Sequence, residues 1–216
     1  MRQLSLDSGG RLFSRSALIR LIGPLIVEQF LAVTVGIADT LMITSVGEAA
    51  VSGVSLVDVI NNLIIQIMAA LSTGGAVVVS QYLGRREEKN ARTAAKQLLY
   101  SALILGLLLA GIALSARRPL LRLLFGAIEP EVMDNAVTYL LLTSLSFPFL
   151  AIYNACAALY RSMGNSRISM FTAILMNIIN IGGNAFLVYV CGWGAAGVGT
   201  ATLISRAVSA IVILRL

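Results

Sequence analysis

The sequence predicts an all-α membrane protein with six transmembrane helices. Hydrophobic residues make up 58% of the 216 residues and charged residues only 12%, whereas soluble domains contain roughly 45–50% apolar and about 25% charged residues. The mean hydropathy is +0.89. The apolar residues are grouped into blocks of about twenty or more, the length that a helix needs to cross a bilayer, instead of forming amphipathic stripes.

The predicted spans follow one another along the chain with polar links between them. Residues 1–16 are polar and basic over a length that does not fit the start of a signal peptide, so we predict a cytoplasmic leader. Residues 17–216 are predicted to form a single transmembrane unit. Its spans are 17–44, 53–83, 94–116, 136–160, 168–190 and 198–214.

The distribution of basic residues predicts the orientation. If the N-terminal side is cytoplasmic, thirteen of the sixteen Lys and Arg residues lie on the inner side, with Arg206 of the sixth span counted there. The positive-inside rule then places both ends of the chain in the cytoplasm. This placement also explains the net charge of +6, so we expect no nucleic acid partner. We expect the plasma membrane, which in a bacterium is the inner membrane.

The three outer arginines lie in a connection that we predict to be a helix at the membrane interface, because PLLRLLF is amphipathic. Acidic residues that follow can match their charge. The arginines are Arg117, Arg118 and Arg122, and the acids are Glu129, Glu131 and Asp134.

The first span contains two carboxylates, Glu28 and Asp39, and a proline, Pro24. The acids are eleven residues apart, about three helical turns, so they project from the same face. An ionisable side chain at the bilayer centre costs about 2.5–3.5 kcal/mol on insertion scales, so such groups usually face a bundle interior or a watery cavity. We therefore predict that this helix lines a pathway for a solute or an ion.

Further polar side chains repeat on single helix faces in the second and fifth spans. These are Asp58, Asn62 and Gln66 in the second span, and Asn177, Asn180 and Asn184 in the fifth. Amides can simply join helices, with about 0.6 kcal/mol per hydrogen bond. Three membrane-depth charges, all acidic, together with stacked amides exceed that need. We interpret the set as the lining of a cavity that suits a proton relay or a hard cation such as sodium.

Several kinds of chemistry are absent from the sequence. There is no histidine, which excludes histidine-based catalysis and histidine-ligated metals, and no GxxxxGK[ST] loop for ATP hydrolysis. We therefore expect no enzyme activity, catalytic residue, metal site or cofactor, and an ion gradient as the energy source. Cys156 and Cys191 are interpreted as packing residues, and the recurrent glycines as sites of close helix packing.

Several segments together resemble the amino-terminal half of the multidrug and toxic compound extrusion family, the MATE transporters. They are the first span with Pro24 and GIADT, then SQYLGRREEKNA, RSMGNSR, the Asn180–Asn184 pair and GAAGVGTAT. The resemblance covers residues 18–216. It implies one six-helix lobe of a twelve-helix transporter, and export of amphipathic or cationic compounds in exchange for protons or sodium ions.

The resemblance also implies roles for individual residues. The cation site of the family's amino-terminal lobe falls on Asp39, Asn180, Asn184 and Thr202, and the helix-bending proline falls on Pro24. Position 184 is Asn where many members have Asp, so Glu28 and Asp58 are candidates to supply charge instead. We include Glu28 in the predicted coupling site on this basis.

The resemblance leaves three functional alternatives. The first is multidrug efflux, in which a second six-helix lobe or a second copy of this chain completes the cavity. The second is a lipid-linked oligosaccharide flippase of the same superfamily, which we consider less well matched because flippase cavities are more cationic. The third is an inactive half that only assembles with a full-length transporter.

Overall fold

The computed structural model describes residues 15–216, which form a bundle of long helices that alternate in direction. Within this range there are seven α-helices and one π-helical segment, and no β-strand. The α-helices are α1 (Arg15–Thr44), α2 (Glu48–Gly84), α3 (Glu88–Ser115), α4 (Arg117–Phe125), α5 (Pro130–Ser162), α6 (Ser166–Asn184) and α7 (Gly194–Arg215). Residues 1–14 of the predicted leader lie outside the described residues.

Six helices are long and apolar enough to cross a membrane, which confirms the predicted number of spans. The links are shorter than predicted. Helix α2 begins at Glu48 instead of residue 53, because an acidic side chain in the first turn complements the partial positive charge of a helix N-terminus. Helix α7 begins at Gly194 instead of residue 198. We call the end of the bundle that contains Thr44 and Glu48 the outer end, following the predicted orientation.

Helix α5 is the centre of the bundle. It packs against α2, α3 and α7, and 56% of the residues in its most apolar stretch are buried. Small residues allow the neighbouring backbones to approach it. A Cβ added to Gly106 of α3 would lie 2.9 Å from Cα of Pro148, and a Cβ on Gly53 of α2 would lie 2.9 Å from the backbone of Ala136. In lipid, such close packing holds helices together where the hydrophobic effect does not.

The prediction that the glycines are packing sites holds only for some of them. A Cβ at Gly183 would lie 2.9 Å from Cβ of Ala201, so α6 and α7 approach closely there. Gly74, Gly111 and Gly182 have nothing within 4 Å of an added Cβ, so the prediction was wrong for these three. They lie on outward faces of their helices, which a glycine pair in a sequence does not reveal.

Helix α1 is attached to the bundle much more loosely. It packs mainly on α6 and makes few contacts with α2 and α7. Only 6% of the residues in its most apolar stretch are buried. Pro24 lies inside the helix, which is continuous on both sides of it. Proline cannot donate the hydrogen bond to the preceding turn, which favours a bend at this position. The bend itself stays a prediction.

The last turn of the fifth span is π-helical from Ala185 to Val190, which the sequence did not indicate. This wider turn begins directly after Asn184 and changes the direction in which the following side chains project. It also ends at the surface, where Cys191 is exposed. The prediction that Cys191 is a packing residue was therefore wrong, whereas Cys156 is buried as predicted.

The predicted interfacial segment forms helix α4. Leu121 is fully buried and Leu123 is 83% exposed, so the helix is amphipathic as predicted. One of the proposed charge matches is present, between Arg118 and Asp134 at 2.7 Å. Arg117 instead donates from Nε to the carbonyl oxygen of Leu114, three residues earlier in the last turn of α3.

Candidate functional site

A cavity of about 420 Å³ lies between α1, α2, α5, α6 and α7. Its polar lining comes from several helices, and aliphatic side chains lie between the polar groups. The ionisable lining residues are Glu28, Asp39, Asp58, Tyr139, Tyr153, Arg161 and Arg206. The cavity therefore brings together all three acids predicted at membrane depth, and Glu28 and Asp39 share one face of α1 as predicted.

The four residues of the predicted cation site form one continuous hydrogen-bonded chain. Asp39 Oδ1 on α1 accepts from Nδ2 of Asn184 on α6. Asn184 Nδ2 is also 3.3 Å from Oδ1 of Asn180 one turn earlier. Asn180 Nδ2 then donates to Oγ1 of Thr202 on α7 at 3.2 Å. Three helices are thus linked through one carboxylate, two amides and a hydroxyl group.

Asn184 is the most enclosed member of this chain. Its side chain is fully buried, and its Oδ1 has no hydrogen-bond partner among the described residues. A buried amide oxygen without a donor is unfavourable and therefore informative. It is an acceptor that could take a proton donor or ligate a cation beside the Asp39 carboxylate.

Asp58 lies in the same part of the cavity, held by donors from two helices. Its Oδ1 accepts from the Tyr139 hydroxyl group of α5 at 3.1 Å and from Asn61 Nδ2 at 3.4 Å. Sequence reasoning missed Tyr139, because a tyrosine in an apolar span is indistinguishable from a packing residue. We call Asp39, Asp58, Tyr139, Asn180, Asn184, Thr202 and Arg206 the outer cluster.

Arg206 is the main correction to the sequence analysis. It lies in the middle of α7, lines the cavity and donates from Nη1 to Ser146 Oγ at 2.8 Å. It interacts electrostatically with both Asp39 and Asp58. The predictions that Arg206 belongs with the inner-side charges and that all membrane-depth charges are acidic were therefore wrong. A cationic side chain can lie at this depth because it faces acids inside the lobe.

Glu28 lies apart from the outer cluster. It is eleven residues from Asp39, about 16 Å along the helix axis, and pairs with Nη1 of Arg161 on α5 at 3.1 Å. We call Glu28 and Arg161 the inner pair. The structure therefore does not bring Glu28 together with the other predicted coupling residues. Its second carboxylate oxygen, Oε1, is buried and has no partner among the described residues.

The remaining predicted lining residues divide into two groups. Asn62 and Asn177 line the cavity as predicted. Gln66 is exposed and is not among the lining residues, because the polar stripe of α2 turns away from the cavity towards the inner end. Asn154 of α5 lines the cavity and was missed. No polar residue lies three or four positions from it in α5, so no repeat on one helix face marks it.

Comparison with known proteins agrees with this geometry. The MatE family model matches residues 24–186. The chain is 32% identical over 200 residues to an uncharacterized transporter, YisQ, of Bacillus subtilis, covering 90% of this chain and 43% of the relative. It is 29% identical over 207 residues to a probable multidrug resistance protein, NorM, of Thermotoga maritima, covering 91% of this chain and 43% of the relative.

A solved structure has the same fold. A MOP superfamily transporter from Pyrococcus furiosus superposes with a TM-score of 0.86 at 25% identity, covering 91% of this chain and 43% of that one. The chain spans less than half the length of these three proteins, and the shared part is a six-helix lobe. Since the family match covers well over half of the chain, the protein belongs to the MatE family.

Proposed function

We propose that this chain forms one lobe of a secondary active exporter in the plasma membrane, which in a bacterium is the inner membrane. It moves amphipathic or cationic compounds outward in exchange for protons or sodium ions, without a bound cofactor. A relative in Staphylococcus saprophyticus that is named a multidrug export protein, MepA, is 25% identical over 189 residues and supports this direction of transport. Transport, and not catalysis, is the activity that we expect of the cavity.

The observation that carries the proposal is the hydrogen bond from Asn184 to Asp39. It joins the loosely packed helix α1 to α6, and the amide chain continues to α7. A change of charge at Asp39, by proton gain or cation binding, changes what its oxygen atoms accept. The same change therefore alters the position of α1 that is most stable.

The substrate class is supported by the lining of the cavity. A volume of about 420 Å³ is within the usual range for small-molecule sites of roughly 300–1,000 Å³. Apolar lining residues give an amphipathic molecule surface to bind without fixing its shape. They are Ala32, Val35, Ile65, Leu150, Ala173 and Met176.

A second lobe is part of the proposal. The cavity is only partly enclosed by the described helices, and the relatives are about twice as long as this chain. We propose that a second six-helix lobe, or a second copy of this chain, covers the open side. The bilayer surrounds the remaining outward faces.

A lipid-linked oligosaccharide flippase remains the second candidate, because Arg161 and Arg206 give the cavity cationic groups that the sequence analysis did not assign to it. With all five charged lining side chains ionised, the three acids still outnumber the two arginines. Export of a cation therefore agrees better with the charge than movement of an anionic lipid headgroup.

Substitution of Asp39 tests the proposed function. Asp39→Asn keeps the shape but removes the charge, so export by the complete transporter in an efflux-deficient host should fall to background at normal membrane abundance. Asp134→Asn is the matched control, an exposed acid on α5 outside the cavity, and should export normally. Normal export by Asp39→Asn would refute coupling at this residue. Loss of lipid-linked oligosaccharide translocation, with drug export absent in all variants, would favour the flippase.

A further inference from the structure

We propose that Arg206 is a specificity-determining residue that limits the outer cluster to a single added positive charge. The cluster then accepts one monovalent cation or one monocationic compound and disfavours a dication. This inference rests on the proposed function, because it assigns the charge class of the ion and the exported compound.

Charge balance within the cavity is the first support. At the inner end, Glu28 and Arg161 form an ion pair and neutralise each other. In the outer cluster, Asp39 and Asp58 face one guanidinium group, that of Arg206. With both acids ionised, the outer cluster has a net charge of −1. One further positive charge brings it to neutrality, and a second leaves it positive.

The position of Arg206 is the second support. Its Nη1 donates to Ser146 Oγ at 2.8 Å, and Ser146 is fully buried on the central helix α5. Ser146 Oγ in turn donates to the carbonyl oxygen of Thr143 at 2.6 Å, which fixes the hydroxyl group as an acceptor for the guanidinium. The positive charge is therefore held between α7 and the central helix α5, whereas Asp39 is on the loosely packed helix α1.

The third support is that Arg206 does not form an ion pair with a single acid. The ion pairs among the described residues are Arg92–Glu88, Arg118–Asp134 and Arg161–Glu28, and none involves Arg206. Its charge acts on Asp39 and Asp58 together across the cavity. Coulomb interactions are stronger where water is scarce, so this charge attracts an incoming anionic group and repels a second incoming cation.

The charge of Arg206 does not depend on pH. Arginine cannot lose its proton in proteins, so Arg206 keeps its positive charge at any pH at which the protein is folded. A coupling cation and a monocationic compound should therefore exclude each other from the cavity, since each supplies the one positive charge that the outer cluster accepts. Mutual exclusion of this kind is what an exchange mechanism requires.

Binding of two matched probes to the purified full-length protein in lipid nanodiscs tests the inference. Tetraphenylphosphonium has one positive charge, and hexane-1,6-bis(triphenylphosphonium) has two such headgroups. We expect the wild type to bind the monocation at least about tenfold more tightly, since placing like charges together is strongly unfavourable. Arg206→Gln should lower this ratio by about tenfold or more, because the cluster then has a charge of −2.

Three control variants make the test specific to charge. Arg206→Lys keeps the charge and should keep the monocation preference. Asp58→Asn combined with Arg206→Gln returns the cluster to −1 and should restore it. Arg118→Gln removes an arginine outside the cavity and should leave the ratio unchanged.

The inference is overturned if Arg206→Gln leaves the ratio within about twofold of the wild type, if Arg206→Lys shifts it equally, or if no variant binds either probe. These results are independent of transport. A protein that binds as expected but exports nothing would contradict the proposed function and leave the charge limit intact.

Discussion

Helices α1 and α5 both line the same cavity, but the protein packs them very differently. In their most apolar stretches, 6% of the residues of α1 are buried, against 56% of those of α5. Helix α5 contacts α2, α3 and α7, whereas α1 leans mainly on α6. The acids Glu28 and Asp39 are on the loose helix, and their partners Arg161 and Asn184 are on helices packed into the bundle.

This difference in packing separates a closely packed frame from a movable wall of the cavity, which is helix α1. We call α2, α3, α5 and α7 the frame, because close backbone contacts hold them together. Segments with few buried contacts are those that open or shift at low cost in free energy. Polar contacts at Glu28 and Asp39 are then a large share of what holds α1 in place, so a change of charge at either one can move it.

The largest effect should follow from enlarging a glycine of the frame. Gly106→Val would place side-chain atoms against Pro148 and Ala151 of α5, so it should lower the free energy of unfolding by about 1–3 kcal/mol. Gly23→Val is the matched change in α1, where an added Cβ meets nothing within 4 Å. Thermal unfolding in detergent measures both. Equal destabilisation by the two changes would remove the distinction between frame and wall.

Breaking the inner pair should have the next largest effect. Glu28→Gln leaves the Arg161 guanidinium facing a neutral amide, so membrane abundance and thermal stability should fall, by about 1 kcal/mol for a partly exposed pair. Adding Arg161→Gln removes the uncompensated charge and should recover part of the loss. A double-mutant cycle on the unfolding temperature measures the coupling. Strictly additive losses would show that the pair does not hold α1 to α5.

An effect of similar size on stability, confined to the outer cluster, is expected from removal of the hydroxyl group that α5 contributes to it. Tyr139→Phe removes the donor to Asp58 but keeps the ring, at a cost of about 1 kcal/mol in stability. Export should fall several-fold, since Asp58 becomes less well compensated, while α1 stays in place. Tyr82→Phe, a tyrosine near the end of α2 that does not line the cavity, is the control. Export unaffected by Tyr139→Phe would place Asp58 outside the working site.

Some features of the frame and of the wall could be predicted from the sequence and others could not. The number of spans, the shared face of Glu28 and Asp39, and the meeting of Asp39 with Asn180, Asn184 and Thr202 agree with the structure. These predictions rest on the length of the apolar segments, on helical periodicity and on the family resemblance, all of which can be obtained from one amino-acid sequence.

Other features depend on which faces meet, and sequence alone did not reveal them. Arg206 was counted with the inner-side charges, although it lies within the predicted sixth span, because the count of basic residues does not show which way a side chain faces. Tyr139 has no local pattern that marks it. Gln66 follows the spacing of Asp58 and Asn62 but turns out of the cavity, because packing and not periodicity decides where a face ends.

The most direct test of the account is the position of α1 relative to the frame. Two doubly spin-labelled proteins, in a background without Cys156 and Cys191, measure this position. One carries labels at Leu41 of α1 and Ile104 of α3, and the other at Val59 of α2 and Ile104; all three residues are exposed. In the Asp39→Asn variant, the carboxylate that accepts from Asn184 is replaced by an amide. The Leu41–Ile104 distance should therefore shift by up to about one helical turn, roughly 5 Å, or its distribution should broaden. The Val59–Ile104 distance should not change. An unchanged α1 distance, or a shift confined to the frame pair, would contradict the claim that Asp39 controls a movable helix.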